Sequence, residues 1–190
     1  MTSIETLVEE HNNIARLLGV IDSAGCLILD GGYPNTEDFR TMAMFARHYA
    51  DRYHHGKEEE ILFREMTGRL GPVAENLIRH GMLVEHDLGR MYVQQLLDAC
   101  DAYDKDPCTG NSLKILSAAL GYAGTLRRHM DKENQAVYTF AENTLPADVL
   151  DQVTEEVKAF DCRPKNAQVN SKYLELLEKL EDQYPPIQPV

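Results

Sequence analysis

The residues best suited to chemistry come as two pairs of identical spacing. His54 and Glu58 lie in the stretch His54-His55-Gly56-Lys57-Glu58-Glu59-Glu60-Ile61-Leu62-Phe63, and His129 and Glu133 lie in Leu126-Arg127-Arg128-His129-Met130-Asp131-Lys132-Glu133. On a helix, residues four apart stand one above the other, so each pair presents an imidazole and a carboxylate to one point. That is a metal-ligand pair, and two such pairs on facing helices can share two ions. Taken singly, either stretch also reads as a solvated charge run carrying a surface histidine. Two pairs, with lone histidines on two further helices, shift the balance to a site.

The elements that must position these pairs read as four long helices. Thr2-Ser3-Ile4-Glu5 is a capping-box pattern, and Ile4, Leu7, Ile14, Leu18 and Ile21 follow at the three-four spacing of one helical face, with His11 inside the stripe. Gly31-Gly32-Tyr33-Pro34 stops this helix. Asn35 or Thr36 caps a second one, whose buried side of Phe39, Met42, Ala46, Tyr49, Ala50 and Tyr53 leads down to His54 and Glu58 before an end near Gly68. A third helix runs from about Pro72 to Asp104 with two competing stripes. One holds Val73, Leu77, His80, Val84, Leu88 and Met91, and the other Leu83, His86, Val93 and Leu97. His80 and His86 lie about 120° apart around the axis, so both cannot aim at one site. A fourth helix, from about Asn111 to Asn143, puts Leu116, Ala119, Ala123, Leu126, His129, Glu133, Val137 and Phe140 on one side.

The expected fold is all-α: an up-down-up-down four-helix bundle over residues 1–145, with a C-terminal helical extension over 146–190 packed on or beside it. Val149, Val153, Val157 and Phe160 mark one added helix, and Tyr173, Leu176, Leu177, Leu180 and Tyr184 another. The end, Tyr184 to Pro189, reads as extended or disordered. In that topology His11, His54, Glu58, His86, His129 and Glu133 all fall in one layer, roughly 12 to 21 Å from the same end at the helical rise. His80 passes the same test of height.

A formal net charge of −12 makes nucleic acid or an anionic membrane an unsuitable partner. No apolar run approaches the roughly 18 residues of a membrane span. The four cysteines, Cys26, Cys100, Cys108 and Cys162, form no CxxC pair, and the amino terminus has no signal-like pattern. These features lead to an expectation of a cytoplasmic protein with reduced thiols.

Imidazole and carboxylate ligands without thiolate suit iron, manganese or zinc. Two carboxylates bridging two divalent ions offset roughly half of their charge, which explains a glutamate in a core, and a bridging oxide or hydroxide neutralises more. The order His, HxxxE, His, HxxxE on successive helices resembles the hemerythrin-like family, also called the HHE cation-binding domain, over about residues 4 to 143. The strings HHGKEEEILF and HMDKENQAVY are similar to its second- and fourth-helix motifs. The resemblance implies a pair of iron ions held by His11, His54, Glu58, His86, His129 and Glu133, with both glutamates bridging. His86 is preferred to His80 because Glu85-His86-Asp87-Leu88-Gly89-Arg90 resembles the family's third-helix pattern of Glu-His followed by Gly-Arg.

One position departs from the oxygen-carrying members, which have a second histidine one turn before His86. Met82 stands there. The set is a ligand short unless His55, Glu59, Tyr53 or water fills the gap. It resembles the six-ligand members, for which sensing, peroxide or nitric oxide chemistry is the usual proposal. The small ligand implied is therefore a diatomic molecule or peroxide, bound or turned over.

Overall fold

The computed structural model describes residues 1–185. They form six long helices and no strand: α1, Ser3–Leu29; α2, 36–69; α3, 71–105; α4, 109–144; α5, Ala147–Asp161; and α6, Val169–Gln183. The capping box forms as its pattern predicts, with Thr2 Oγ1 accepting from the Glu5 amide at 3.2 Å and the Glu5 carboxylate accepting from the Thr2 amide at 2.8 Å. Asn35 caps α2 by accepting from the amides of Glu37 and Asp38. Gly31 and Gly71 have φ of +97° and +71°, a region that a side chain disfavours. At Gly71 this lets α3 follow α2 with only Leu70 between them.

The first four helices close into a bundle in which α1 packs on α2 and α4, and α3 on the same two. A single apolar core runs through it. On α3 the stripe through His86 and Val93 wins: Ala74, Ile78 and Met82 join these two inside, while Val73, His80, Val84, Leu88 and Met91 are exposed.

Three helices depart from the regular 3.6-residue period on which the expected faces rest. α2 widens into π turns over Ala46–His55 and Glu58–Leu62, α3 over Ile78–Met82 and α4 over Glu133–Val137. In each case an amide bonds the carbonyl five residues back: Phe63 to Glu58, Leu83 to Ile78 and Tyr138 to Glu133. Such turns are rare and recur at functional sites, because they re-aim the side chains that follow. Here Tyr138 is buried and Phe140 only half-buried, a shift from the face expected of an unbroken helix.

The added helices lie on the bundle rather than apart from it. Val149, Val153, Val157 and Phe160 of α5, with Tyr173, Leu177 and Leu180 of α6, belong to the common core. α5 packs against α1 and the Glu58–Leu62 turn, and α6 against α1 and α2. Phe160 comes so close to Gly56 that a Cβ there would stand 2.9 Å from its Cζ. Tyr49 donates to Asn170 Oδ1 at 3.2 Å, and Arg16 pairs with Glu181 at 2.7 Å. Most of the segment expected to be extended or disordered, 184–189, lies outside the described residues, but Tyr184 is buried and donates to Asp38.

One expectation needs correction. α1 does contain an 18-residue window that passes for a membrane span by length and composition, and half of that window is buried in the bundle. Its apolar residues serve the core. The alternative reading of Lys57 to Glu60 as a solvated charge run holds only for its end, where Glu59 is half-buried and Glu60 exposed. Lys57 and Glu58 are fully buried, because the π turns on both sides direct them inward.

Candidate metal centre

Residues in the π turns of α2 and α4, or about one turn from those of α3 and α4, join His11 of α1 in a single buried layer of imidazoles and carboxylates. His11, His54, His55, His86, His129, Glu58 and Glu133 are each at most 4 % exposed. They fall into two groups, each with ligand atoms within 4.8 Å of one another and each able to hold a metal ion. His11, His54, Glu58 and Glu133 make one, and His55, Glu58, His86 and His129 the other. Glu58 is common to both. Glu133 also reaches across, with Oε2 3.3 Å from His11 Nε2 and 3.1 Å from His129 Nε2, and Oε1 3.8 Å from His86 Nε2.

Four of the five imidazoles are oriented from behind. His11 Nδ1 donates to Asn134 Oδ1 at 2.8 Å, His54 Nδ1 to Glu10 at 3.0 Å, His86 Nδ1 to Glu59 at 2.6 Å and His129 Nδ1 to Glu85 at 3.0 Å. Each outer bond places the ring proton on Nδ1, so each Nε2 turns a lone pair into the layer. Outer acceptors of this kind fix the tautomer and aim of metal-binding histidines. The outer carboxylates are themselves held by cations. Lys57 bonds Glu10, Arg90 bonds Glu59 at 2.7 Å, and Lys132 bonds Glu85.

The interior of the layer is costly without a cation. His86 Nε2 and His129 Nε2 stand 3.1 Å apart, both as acceptors. His54 Nε2, both nitrogens of His55, Glu58 Oε2 and both oxygens of Glu133 are buried with no hydrogen-bond partner among the described residues. Each unsatisfied buried group of this kind costs about 1–3 kcal/mol, and more when charged. Burial, with Glu133 beside it, pushes the Glu58 carboxyl well above the usual range, while burial holds His54 and His55 well below theirs. The neutral imidazoles of His54 and His55 beside closely opposed carboxylates are a state that positive ions complete. The donor set fits two divalent cations.

All six residues expected from the sequence come together. Of the four candidates for the remaining ligand, the structure gathers His55. Its ring stacks on His86 at 3.7 Å between centroids and 3° between planes. Glu59 serves as the acceptor behind His86, and Tyr53 lies under Lys57, whose Nζ is 3.6 Å from the ring centroid. His80 is exposed, away from the layer.

Sequence reasoning missed Tyr138, Glu10, Glu85 and Lys57. Tyr138 donates to Glu58 Oε1 at 2.7 Å, and its oxygen is 3.4 Å from His11 Nε2. On a regular helix it points about 140° away from Glu133, and only the π turn aligns them. Glu10 and Glu85 each stand just before a histidine in sequence, yet each supports a histidine of another helix. No local pattern gives that away.

A helical bundle carrying a buried histidine and glutamate cluster on its inner faces defines a class, the metal-binding helical bundles. The chain belongs to the hemerythrin HHE cation binding domain family, which matches it over residues 2–141. No curated protein and no solved structure matches it.

Proposed function

We propose that the chain holds two iron ions side by side and binds oxygen, peroxide or nitric oxide there, for sensing or detoxification. One observation carries this reading. Five imidazoles and two carboxylates converge on one buried layer, and four of the imidazoles are tied outward through Nδ1. On this reading His11 and His54 hold one ion, His55, His86 and His129 hold the other, and Glu58 and Glu133 are shared. His55 thus takes up the place that Met82 leaves. Zinc or manganese fits the same nitrogen and oxygen donors, but a redox role favours iron. When bound, the iron pair supplies electrons to a small oxidant.

The chain's own residues select and handle the ligand. A cavity of about 70 Å³ between α2 and α3 is lined by His55 and His86 on one side and by Ala46, Gly89, Val93 and Tyr122 on the other. It has room for a molecule of two or three heavy atoms. Arg47, Asp51 and Arg90, the last two paired at 2.7 Å, line it as well and are its more exposed charged members. The Tyr138 hydroxyl fixes Glu58 and keeps a proton beside the centre.

The test is to load the metal-free protein anaerobically with ferrous iron and mix it with oxygen, peroxide or nitric oxide while recording its absorption. A saturable spectral change with at least one of them is expected. Steady consumption over many equivalents makes the protein an enzyme, and uptake of a single equivalent makes it a sensor. No iron uptake, or no response to any of the three, contradicts the reading.

A further inference from the structure

A larger cleft of about 770 Å³ opens where the α5–α6 connection and the start of α6 face α2. Pro164, Lys165, Asn166, Gln168, Val169 and Lys172 form one wall, all of them beyond the residues that the family match covers. His48, Arg52, Gly56 and Glu59 are on the opposite wall. The volume is that of a pocket for a small organic molecule.

Its charge runs against that of the chain. The three carboxylates in the lining are partly offset: Asp51 and Glu59 share Arg90, each at 2.7 Å, and Glu60 pairs with Arg163 at 2.6 Å. Arg52, Lys165 and Lys172 have no acidic partner among the described residues, although the chain as a whole carries −12. The cations raise the local potential enough to be felt by His48. Its imidazole is held below the ordinary range by burial and then by Arg52, Lys172 and Arg47. His48 also stacks on Tyr173, at 5.9 Å between centroids and 23° between planes, which gives the cleft a planar face beside its cations.

We propose that this cleft binds a small organic anion with a planar ring and two negative charges. Arg52, Lys165 and Lys172 take the charged end, and the His48–Tyr173 stack faces the ring. Concave walls, unpaired cations and an aromatic face together match such a ligand better than a flat macromolecular surface does. Glu59 of the opposite wall is the same carboxylate that orients His86, so the occupant sits next to the candidate metal centre. The site itself does not depend on which metal that centre holds.

Flavin mononucleotide serves as a fluorescent probe with this chemistry, and inorganic pyrophosphate as a competitor. The full-length, metal-free chain is titrated, so a failure of the iron reading leaves the result untouched. Expected is saturable binding with a dissociation constant below about 1 mM, weakened by salt and displaced by pyrophosphate. The Lys165→Glu/Lys172→Glu variant is expected to bind at least about tenfold more weakly, while Lys105→Glu/Lys158→Glu, with the same change in net charge away from the cleft, binds as the parent does. Circular dichroism confirms that both variants are folded. No saturable binding, or equal loss in the two variants, overturns the proposal.

Discussion

At one end of the Glu58–Glu133 pair stand His11 and His54, and at the other stand His55, His86 and His129. At the first end His54 is locked from behind by buried groups, whereas Asn134, behind His11, is exposed. Glu10, which holds His54, is bonded by the fully buried Lys57, and Lys57 also reaches Asp161 of α5 at 2.7 Å. Tyr138 closes the same side with its hydroxyl. The second end is supported by half-buried carboxylates, Glu59 and Glu85, whose partners Arg90 and Lys132 are exposed. His55, on this side, has no hydrogen bond at either nitrogen among the described residues, and the small cavity opens beside it. Charge interactions strengthen as water is excluded, so on the proposed reading the first end would retain its ion and the second would admit a ligand.

The sharpest way to break this comparison is to remove what the two ends share. Glu58→Ala is expected to lose both ions on gel filtration, as read by metal analysis. Retention of either ion at full occupancy shows that Glu58 is not shared. Glu10→Gln acts on the locked end alone. It removes one of the two carboxylate acceptors of the buried Lys57, so a loss of about 1–3 kcal/mol in unfolding free energy is expected, measured by denaturant titration, together with weaker binding of one ion. Glu85→Gln is the counterpart at the open end. With its partner in solvent, stability should change by no more than about 0.5 kcal/mol while affinity for one ion falls about 10- to 100-fold in a metal-competition assay. Equal effects on stability from the two variants dissolve the distinction. Met82→His is the smallest: with His55 already in place, the number of ions bound should not rise.

Much of this was legible in the sequence because the helices carry their own punctuation. The Thr2–Glu5 box, the Asn35 cap, and the glycines at 31 and 71 fall where the chain turns, and the i, i+4 pairs lie on inner faces. What escaped was anything that depends on a helix losing its regular period. His55 lies about 100° from His54 on an α-helix, and only the widened turn over Ala46–His55 lets both face inward. Tyr138 was hidden for the same reason. Glu10 and Glu85 were hidden for another: each acts on a histidine 44 residues away in sequence, through packing that no spacing encodes. Lys57 looked like part of a surface charge run because both of its partners, Glu10 and Asp161, come from other helices.

The account stands most directly on how many ions the chain holds and on His55 as the ligand of the second. Metal-free wild-type protein and His55→Ala should be titrated anaerobically with ferrous iron to equilibrium. The account predicts about two equivalents per wild-type chain. In the variant, one equivalent should bind as before and the other at least about tenfold more weakly. A single equivalent in the wild type, or a His55→Ala titration that overlays the wild type, contradicts it.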